Sequence, residues 1–462
     1  KEYEAVCFFD DDIELHKQII MDIPAFHSSK IQKMIHKKGL DAIILAMPSA
    51  PRSRRHHILQ NLKDLNVRVQ TIPGLVDIVS GKAKISDLKE IDPADLLGRD
   101  PVAPDENLLE KNVREKTVLV TGAGGSIGSQ LCREISKLGP AKLVLYEIYE
   151  FSLYRIYSEL AEEYDIEVIP VLGNVQDHKH VRQVIQDHKI QTVYHAAAYK
   201  HVPLVEFNTL EAIKNNVFGT LNTARASVEN GVEAFVLVST DKAVRPGNVM
   251  GATKRVAEKI IQSFSVQKSL FQDNRKTRFC FVRFGNVLDS SGSVIPLFRN
   301  QIAKGGPVTV THPDITRYFM SIPEAVRLVL QAGALADNGD ALVLDMGRPV
   351  RIYDLAEKVI RLSGLEPKNS PDEDGDVEIK ITGLRPGEKL HEELFINKEL
   401  SYPTQHSKIL REQQALDNDQ QAFDKHIKLL EKAIFKGEKI DFEKTLFDFV
   451  EAPYNENRQQ AA

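Results

Sequence analysis

Residues 117–131 read TVLVTGAGGSIGSQL. A short β-branched and aliphatic run meets glycines at Gly122, Gly125 and Gly128, and a helix follows. Glycine permits the tight turn, the close approach of a pyrophosphate to bare backbone, and close helix–strand packing. The helix N-terminus adds N–H donors and partial positive charge. About twenty residues on, the next strand ends in Glu147, where a carboxylate would take the hydroxyls of an adenosine ribose. A 2′-phosphate would be repelled there, so NAD is expected over NADP. The expected cofactor contacts are Gly122, Gly125, Ser126, Ile127, Gly128 and Glu147, then Asn174 and Val175 after the third strand, and Ala196 and Ala197 after the fourth. Asp177, in GNVQD, reads either as an adenine contact or as a simple helix cap.

Outward from this turn the strands TVLVTG, KLVLYE, EVIPVLG, TVYHAAA, AFVLVST and RFCFVRFG alternate with helical segments. That rhythm predicts an α/β fold with a doubly wound parallel sheet of the Rossmann type over residues 117–295. Upstream, residues 1–88 alternate AVCFF, a helix from Ser28 to Lys38, AIILA, an Arg-rich helix from Ser53 to Leu65, and VRVQTI. This predicts a small parallel α/β domain, which carries no Gly-rich loop. Its run Asp10-Asp11-Asp12 reads as a solvated strand end or a metal site. Residues 89–116, rich in Pro and Asp, read as a linker. Residues 296–402 read as a substrate-binding subdomain, and 403–462 as a polar helical extension.

With 60 basic and 65 acidic residues and a formal charge of −5, the chain offers no global field for nucleic acid or an anionic membrane. Any phosphate must be held locally. Cys7, Cys132 and Cys280 are widely spaced in apolar runs, which predicts reduced core thiols of a cytoplasmic protein and neither a disulfide framework nor a metal site. No stretch approaches the roughly 20 apolar residues of a bilayer span. The chain is therefore expected to be soluble as given. It begins directly on a strand without an initiator methionine, which we read as a truncation.

The motifs TGAGGSIG, HAAAYKHVPLVE, NNVFGT, STDKAVRPGNVMGATKR, RFGNVLDSSGSVIP, TRYFM and LRPGEKLHEEL occur in this order. Together they resemble the CapD-like group of nucleotide-sugar 4,6-dehydratases within the extended short-chain dehydrogenases. The resemblance extends to FFDDD, ILAMPSA and DLLGRDPV, so it covers nearly the whole chain. It implies NAD, a UDP-sugar substrate, a homo-oligomer, and a full-length protein held at the inner membrane by preceding transmembrane helices, with this part facing the cytoplasm. One departure matters. Short-chain dehydrogenases usually carry Tyr-x-x-x-Lys, whereas this chain has Met250 to Lys254, and methionine cannot exchange a proton. Met at this position is typical of one dehydratase branch.

A 4,6-dehydratase needs a base at the 4-hydroxyl, a base at C5 and an acid at the 6-hydroxyl. The resemblance assigns Asp241 as that acid and Lys242 as the C5 base, Thr240 to the 4-hydroxyl, and Lys254 to the nicotinamide ribose. Lys242 would need a depressed pKa for this work. On the substrate side, Arg317 and Arg385 are the expected cations for the diphosphate, with Glu388 on the uridine ribose and Asn286 and Lys200 as further contacts. His195 and His201 look like acid–base groups, but core or loop roles are favoured. The implied activity is conversion of UDP-N-acetylglucosamine to a 4-keto-6-deoxy sugar, with C5 configuration retained, for surface glycan or protein glycosylation. The alternatives are a UDP-sugar 4-epimerase and a silent NAD-binding regulatory protein.

Overall fold

The computed structural model describes the chain except residues 1–2, 66, 75–86, 100–101, 267–276, 291, 369, 371–372, 415–419, 437–439 and 452–462. The chain divides into two compact units. One comprises Pro101–Ser293, Ile315–Val350 and Leu384–Ala462, the other Lys1–Asp100, Val294–Asp314 and Arg351–Gly383.

The first unit is built on a nine-stranded sheet. Its strands are β1 (Thr117–Thr121), β2 (Lys142–Glu147), β3 (Glu167–Leu172), β4 (Thr192–His195), β5 (Ala234–Val238), β6 (Arg278–Arg283), β7 (Asp340–Leu344), β8 (Ser401–Pro403) and β9 (Ile409–Glu412). The spatial order is β8-β9-β7-β6-β5-β4-β1-β2-β3. Strands β1 to β7 are parallel, and β9 and β8 add antiparallel pairs at one edge. The order reverses between β1 and β4, the crevice where sheets of this kind bind ligands.

Successive residues of each strand serve opposite faces. Leu119, Val144, Val193, Phe235, Phe279 and Phe281 join one apolar cluster, and Val118, Val120, Leu143, Leu145, Tyr194, Val236 and Val282 join the other. A strand covered on both sides reads as a continuous apolar run, which is why these segments are legible. The six strands expected from sequence are present, and the doubly wound parallel sheet is the observed fold. Strand β7 and the edge pair, short and set among polar residues, were not anticipated.

The final helices, Gln420–Lys436 and Phe442–Glu451, place Phe423, Ile427, Leu430, Leu446 and Phe449 in the first cluster. They cover the helix Val249–Val266, and Lys259 Nζ donates to the Phe449 carbonyl at 2.8 Å. That burial explains the long apolar face of a segment whose sequence is otherwise polar.

The second unit carries parallel pairing of Phe8–Asp10 with Ile23–His27 and of Ala42–Leu45 with Arg68–Thr71, and helices Ile31–Lys38 and Arg52–Leu62. A further sheet joins Val308–Val310, Val377–Ile381 and Pro367–Lys368. The Asp run is absorbed locally: Asp11 accepts from Ser28 and pairs with Arg54 at 2.6 Å, and Asp12 caps a short turn. No group of side chains suited to a metal occurs among the described residues. Where a linker was expected, helices Pro93–Leu97 and Glu106–Glu110 form, capped by Asp92 and Asp105. Among the described residues no helix is long and apolar enough to cross a membrane, and the three cysteines are free.

Candidate active site

Gly122 leaves β1 at φ 66°, and a Cβ there would lie 2.8 Å from the Ala197 backbone. A Cβ on Gly128 would approach the Gly122 carbonyl oxygen to 1.9 Å. The turn therefore excludes side chains at both positions. The helix Ser126–Lys137 starts at Gly125 without a side-chain cap, as a helix N-terminus suited to an anion does. Glu147, 8% exposed, accepts from the Gly124 N–H at 2.9 Å and from the N–H groups of Ile148 and Tyr149 at 2.9 and 3.1 Å. These donors hold the Glu147 side chain beside the glycine turn. This cradle fits a dinucleotide with a free 2′-hydroxyl.

Ala196 and Ala197 follow β4, with Ala196 N–H bonded to Thr121 O. Asn174 caps its own turn by accepting from Gln176 N–H, and Val175 packs on Gly219. Asp177 caps the helix His178–His188, the plainer of its two readings. His195 is a core residue, 1% exposed, between the hydroxyls of Thr121 (2.8 Å) and Thr220 (3.1 Å). Thr220 spends its own proton on Asn216 O, so the His195 Nε2–H donates to it. Burial pushes the imidazole down to about 3, with Lys254 adding to the effect, which leaves it neutral. His201 lies on a loop, and it and Lys200 are exposed.

Past β5 the chain turns through Thr240, Asp241 and Lys242. Asp241 is fully buried. Its Oδ1 accepts from the Thr240 hydroxyl at 2.9 Å and from Lys242 Nζ at 3.1 Å, while Oδ2 has no partner. Lys242 Nζ also meets Asn286 Oδ1 at 3.1 Å and Glu392 Oε1 at 3.5 Å. Burial pushes this ammonium down, but the carboxylates of Asp241 and Glu392 outweigh it, and the net direction is up. The depressed lysine expected from the sequence is therefore not met, because two anions face it. Lys254, 6% exposed, donates to the Val238 carbonyl at 2.7 Å, and burial takes it down to about 8 against the pull of Glu258. Met250 is 3% exposed and belongs to the apolar core.

The RPGEK segment reaches this site through glycine contact. Gly387 adopts φ 70°, and a Cβ on it would fall 2.4 Å from the Gly247 carbonyl oxygen. Asn248 Nδ2 donates to Gly387 O. Arg317, 7% exposed, is brought close but is already engaged: it pairs with Glu388 at 3.1 Å and lies 3.9 Å from Glu392. Glu388 thus holds Arg317 here, and Arg385 lies exposed at the turn. Glu392 was not anticipated. It sits in LHEEL beside a second glutamate, and only the Thr316–His391 bridge, which lays the segment along Arg317, shows which of the two faces inward.

A parallel sheet in this order, with a bare glycine turn after its first strand and Thr-Asp-Lys after its fifth, defines a nucleotide-sugar-modifying enzyme of the extended short-chain dehydrogenase type. Residues 118–414 match the family described as "Polysaccharide biosynthesis protein". The chain belongs to this family. It is 48% identical over 413 residues to the capsular polysaccharide biosynthesis protein CapD of Staphylococcus aureus, covering 88% of this chain and 67% of the relative. It is 44% identical over 417 residues to the probable polysaccharide biosynthesis protein EpsC of Bacillus subtilis, covering 90% and 67%. The solved structure of Pen from Bacillus thuringiensis aligns with TM-score 0.58 and 30% identity over 65% of this chain and 88% of that one.

Proposed function

We propose that the chain is an NAD-dependent UDP-N-acetylglucosamine 4,6-dehydratase that retains configuration at C5. The observation that carries this reading is the buried contact of Thr240, Asp241 and Lys242 through one carboxylate oxygen. NAD, when bound, supplies the acceptor for the C4 hydride and returns that hydride to C6.

The side chains account for the protons. Oxidation at C4 releases the 4-hydroxyl proton, and the Thr240 hydroxyl passes it on to solvent. The C5 hydrogen, now beside a ketone, passes as a proton to the Lys242 amine. Asp241 gives its proton to the 6-hydroxyl, which leaves as water. Lys242 then returns its proton to C5 from the side it took it. One proton leaves O4 for solvent, and Asp241, having given one to O6, regains one from solvent, so both side chains end as they began and the net change is loss of water. For the first turnover Lys242 must be a free amine, and the positive charge of a bound nicotinamide would favour that form. Arg317 and Arg385 are proposed to hold the diphosphate, Glu388 the uridine ribose, Lys200 and Asn286 the sugar side, and Lys254 the nicotinamide ribose.

Incubation with UDP-N-acetylglucosamine and NAD, followed by mass spectrometry, tests the reading. A product lighter by one water supports it. An isobaric product would make the chain a 4-epimerase, and unchanged substrate would make it a silent NAD-binding protein.

The cofactor assignment makes its own prediction. NAD is expected to bind more tightly than NADP, because the Glu147 carboxylate accepts from a 2′-hydroxyl and repels a 2′-phosphate. Glu147→Ala should narrow the gap, as calorimetric titration of both cofactors would show. Equal affinities in the unmutated chain would sink the assignment.

A further inference from the structure

Glu392 has no role in the scheme above, yet it is 8% exposed, and one of its oxygens, Oε2, is buried with no hydrogen-bond partner. A buried carboxylate oxygen left unmatched is costly, and such atoms concentrate where function requires them. Its other oxygen lies 3.5 Å from Lys242 Nζ and 3.9 Å from Arg317 Nε. Lys242 Nζ donates to Asp241 Oδ1 and Asn286 Oδ1, and Glu392 Oε1 stands beside it at ion-pair distance.

We infer that Glu392 is a positioning residue for the reaction proposed above: it bridges Arg317 and Lys242, fixes Nζ, and sets the pH at which Lys242 becomes a free amine. The charged groups facing Lys242 are Asp241 from its own turn, Glu392 from the LHEEL segment, and Arg317, itself paired with Glu388. Asp241 and Glu392 favour the ammonium, and Arg317 opposes it. Without Glu392, Lys242 loses its proton at lower pH and is the weaker base. With it, the proton taken from C5 stays on an ammonium held by two hydrogen bonds and the Glu392 ion pair, ready to return to the same carbon.

The test reads Lys242 directly and needs no substrate, although the inference rests on the proposed dehydratase chemistry. The full chain is labelled with limiting acetic anhydride across a pH series, and acetylation of the Lys242 peptide is followed by mass spectrometry. In Glu392→Gln the midpoint is expected to fall by about 1–3 pH units. Glu392→Asp, which keeps the charge, should fall less. Glu393→Gln is the control: its side chain is 44% exposed and pairs with Arg245 and Lys389, so the midpoint should not move.

With turnover established, the rising limb of the C5 exchange rate should shift the same way in Glu392→Gln, with a lower plateau. An unmoved Lys242 midpoint in Glu392→Gln, or in Glu392→Asp relative to the unmutated chain should the glutamine variant not fold, overturns the inference. Failure of the unmutated chain to dehydrate UDP-N-acetylglucosamine would remove the functional reading, while the labelling midpoint would still decide whether Glu392 governs Lys242.

Discussion

Lys242→Ala is expected to abolish exchange of the C5 proton of UDP-N-acetylglucosamine with deuterated solvent, whereas Asp241→Asn should keep it. Lys242 carries the amine of this site, 3.1 Å from Asp241 Oδ1 and 3.5 Å from Glu392 Oε1. Alanine leaves no amine to take the carbon-bound proton. An amide at 241 cannot give a proton to the departing 6-hydroxyl, so elimination stalls after C4 oxidation and the keto intermediate continues to exchange at C5. Loss of a general acid or base commonly costs about 10²–10⁴ in rate, so turnover falls in both variants and only the isotope separates them. Deuterium at C5 in recovered substrate is the measurement. Exchange in Lys242→Ala and none in Asp241→Asn would reverse the two roles.

Arg283→Ala should be the most destabilising single change in the large unit. Arg283 is fully buried and holds Glu258 with two nitrogens, each at 2.7 Å, and Glu412 with the third at 2.6 Å. Arg255 and Ser239 also contact Glu258, and Glu412 accepts from the N–H groups of Ile396 and Asn397. Removing the guanidinium strands two carboxylates in the interior, a loss of about 3–5 kcal/mol, which lowers Tm by roughly 10 °C. A melting temperature within a degree or two of the unmutated chain would show that water or a neighbouring cation compensates.

Burial raises the Glu258 carboxyl, but Arg283 and Arg255 outweigh it and its net direction is down from 4.5. A depressed carboxyl stabilises the fold above its unfolded pKa and loses that contribution as pH falls through the folded value. Arg283→Ala should therefore flatten the acid limb of the stability curve.

The glycine turn was legible because its requirements are local: positive φ at Gly122 and the close approach at Gly128 are set within a few residues. Glu147 was legible for a related reason, since a strand of known length carries its last residue to the crevice. Lys254 and Met250, singled out by resemblance to the Tyr-x-x-x-Lys pattern, share the helix Val249–Val266. His195 was harder, because a histidine at a strand end has the same sequence whether its ring meets a substrate or, as here, two threonines. Arg317 was found, but not its engagement by Glu388 and Glu392. Glu392 escaped, because nothing in Glu392-Glu393 distinguishes a buried carboxylate from an exposed one.

By itself the sequence determined the parallel sheet, the dinucleotide turn and the Thr240-Asp241-Lys242 triplet. Continuous apolar runs, glycine positions and adjacency along the chain are all short-range properties. Only the tertiary structure decided the charge on the lysine and which carboxylates share it. The contact of Gly247 with Gly387 and the bridge from Thr316 to His391 bring distant segments together. A pKa depends on burial and on charges within a few ångströms, whichever part of the chain supplies them.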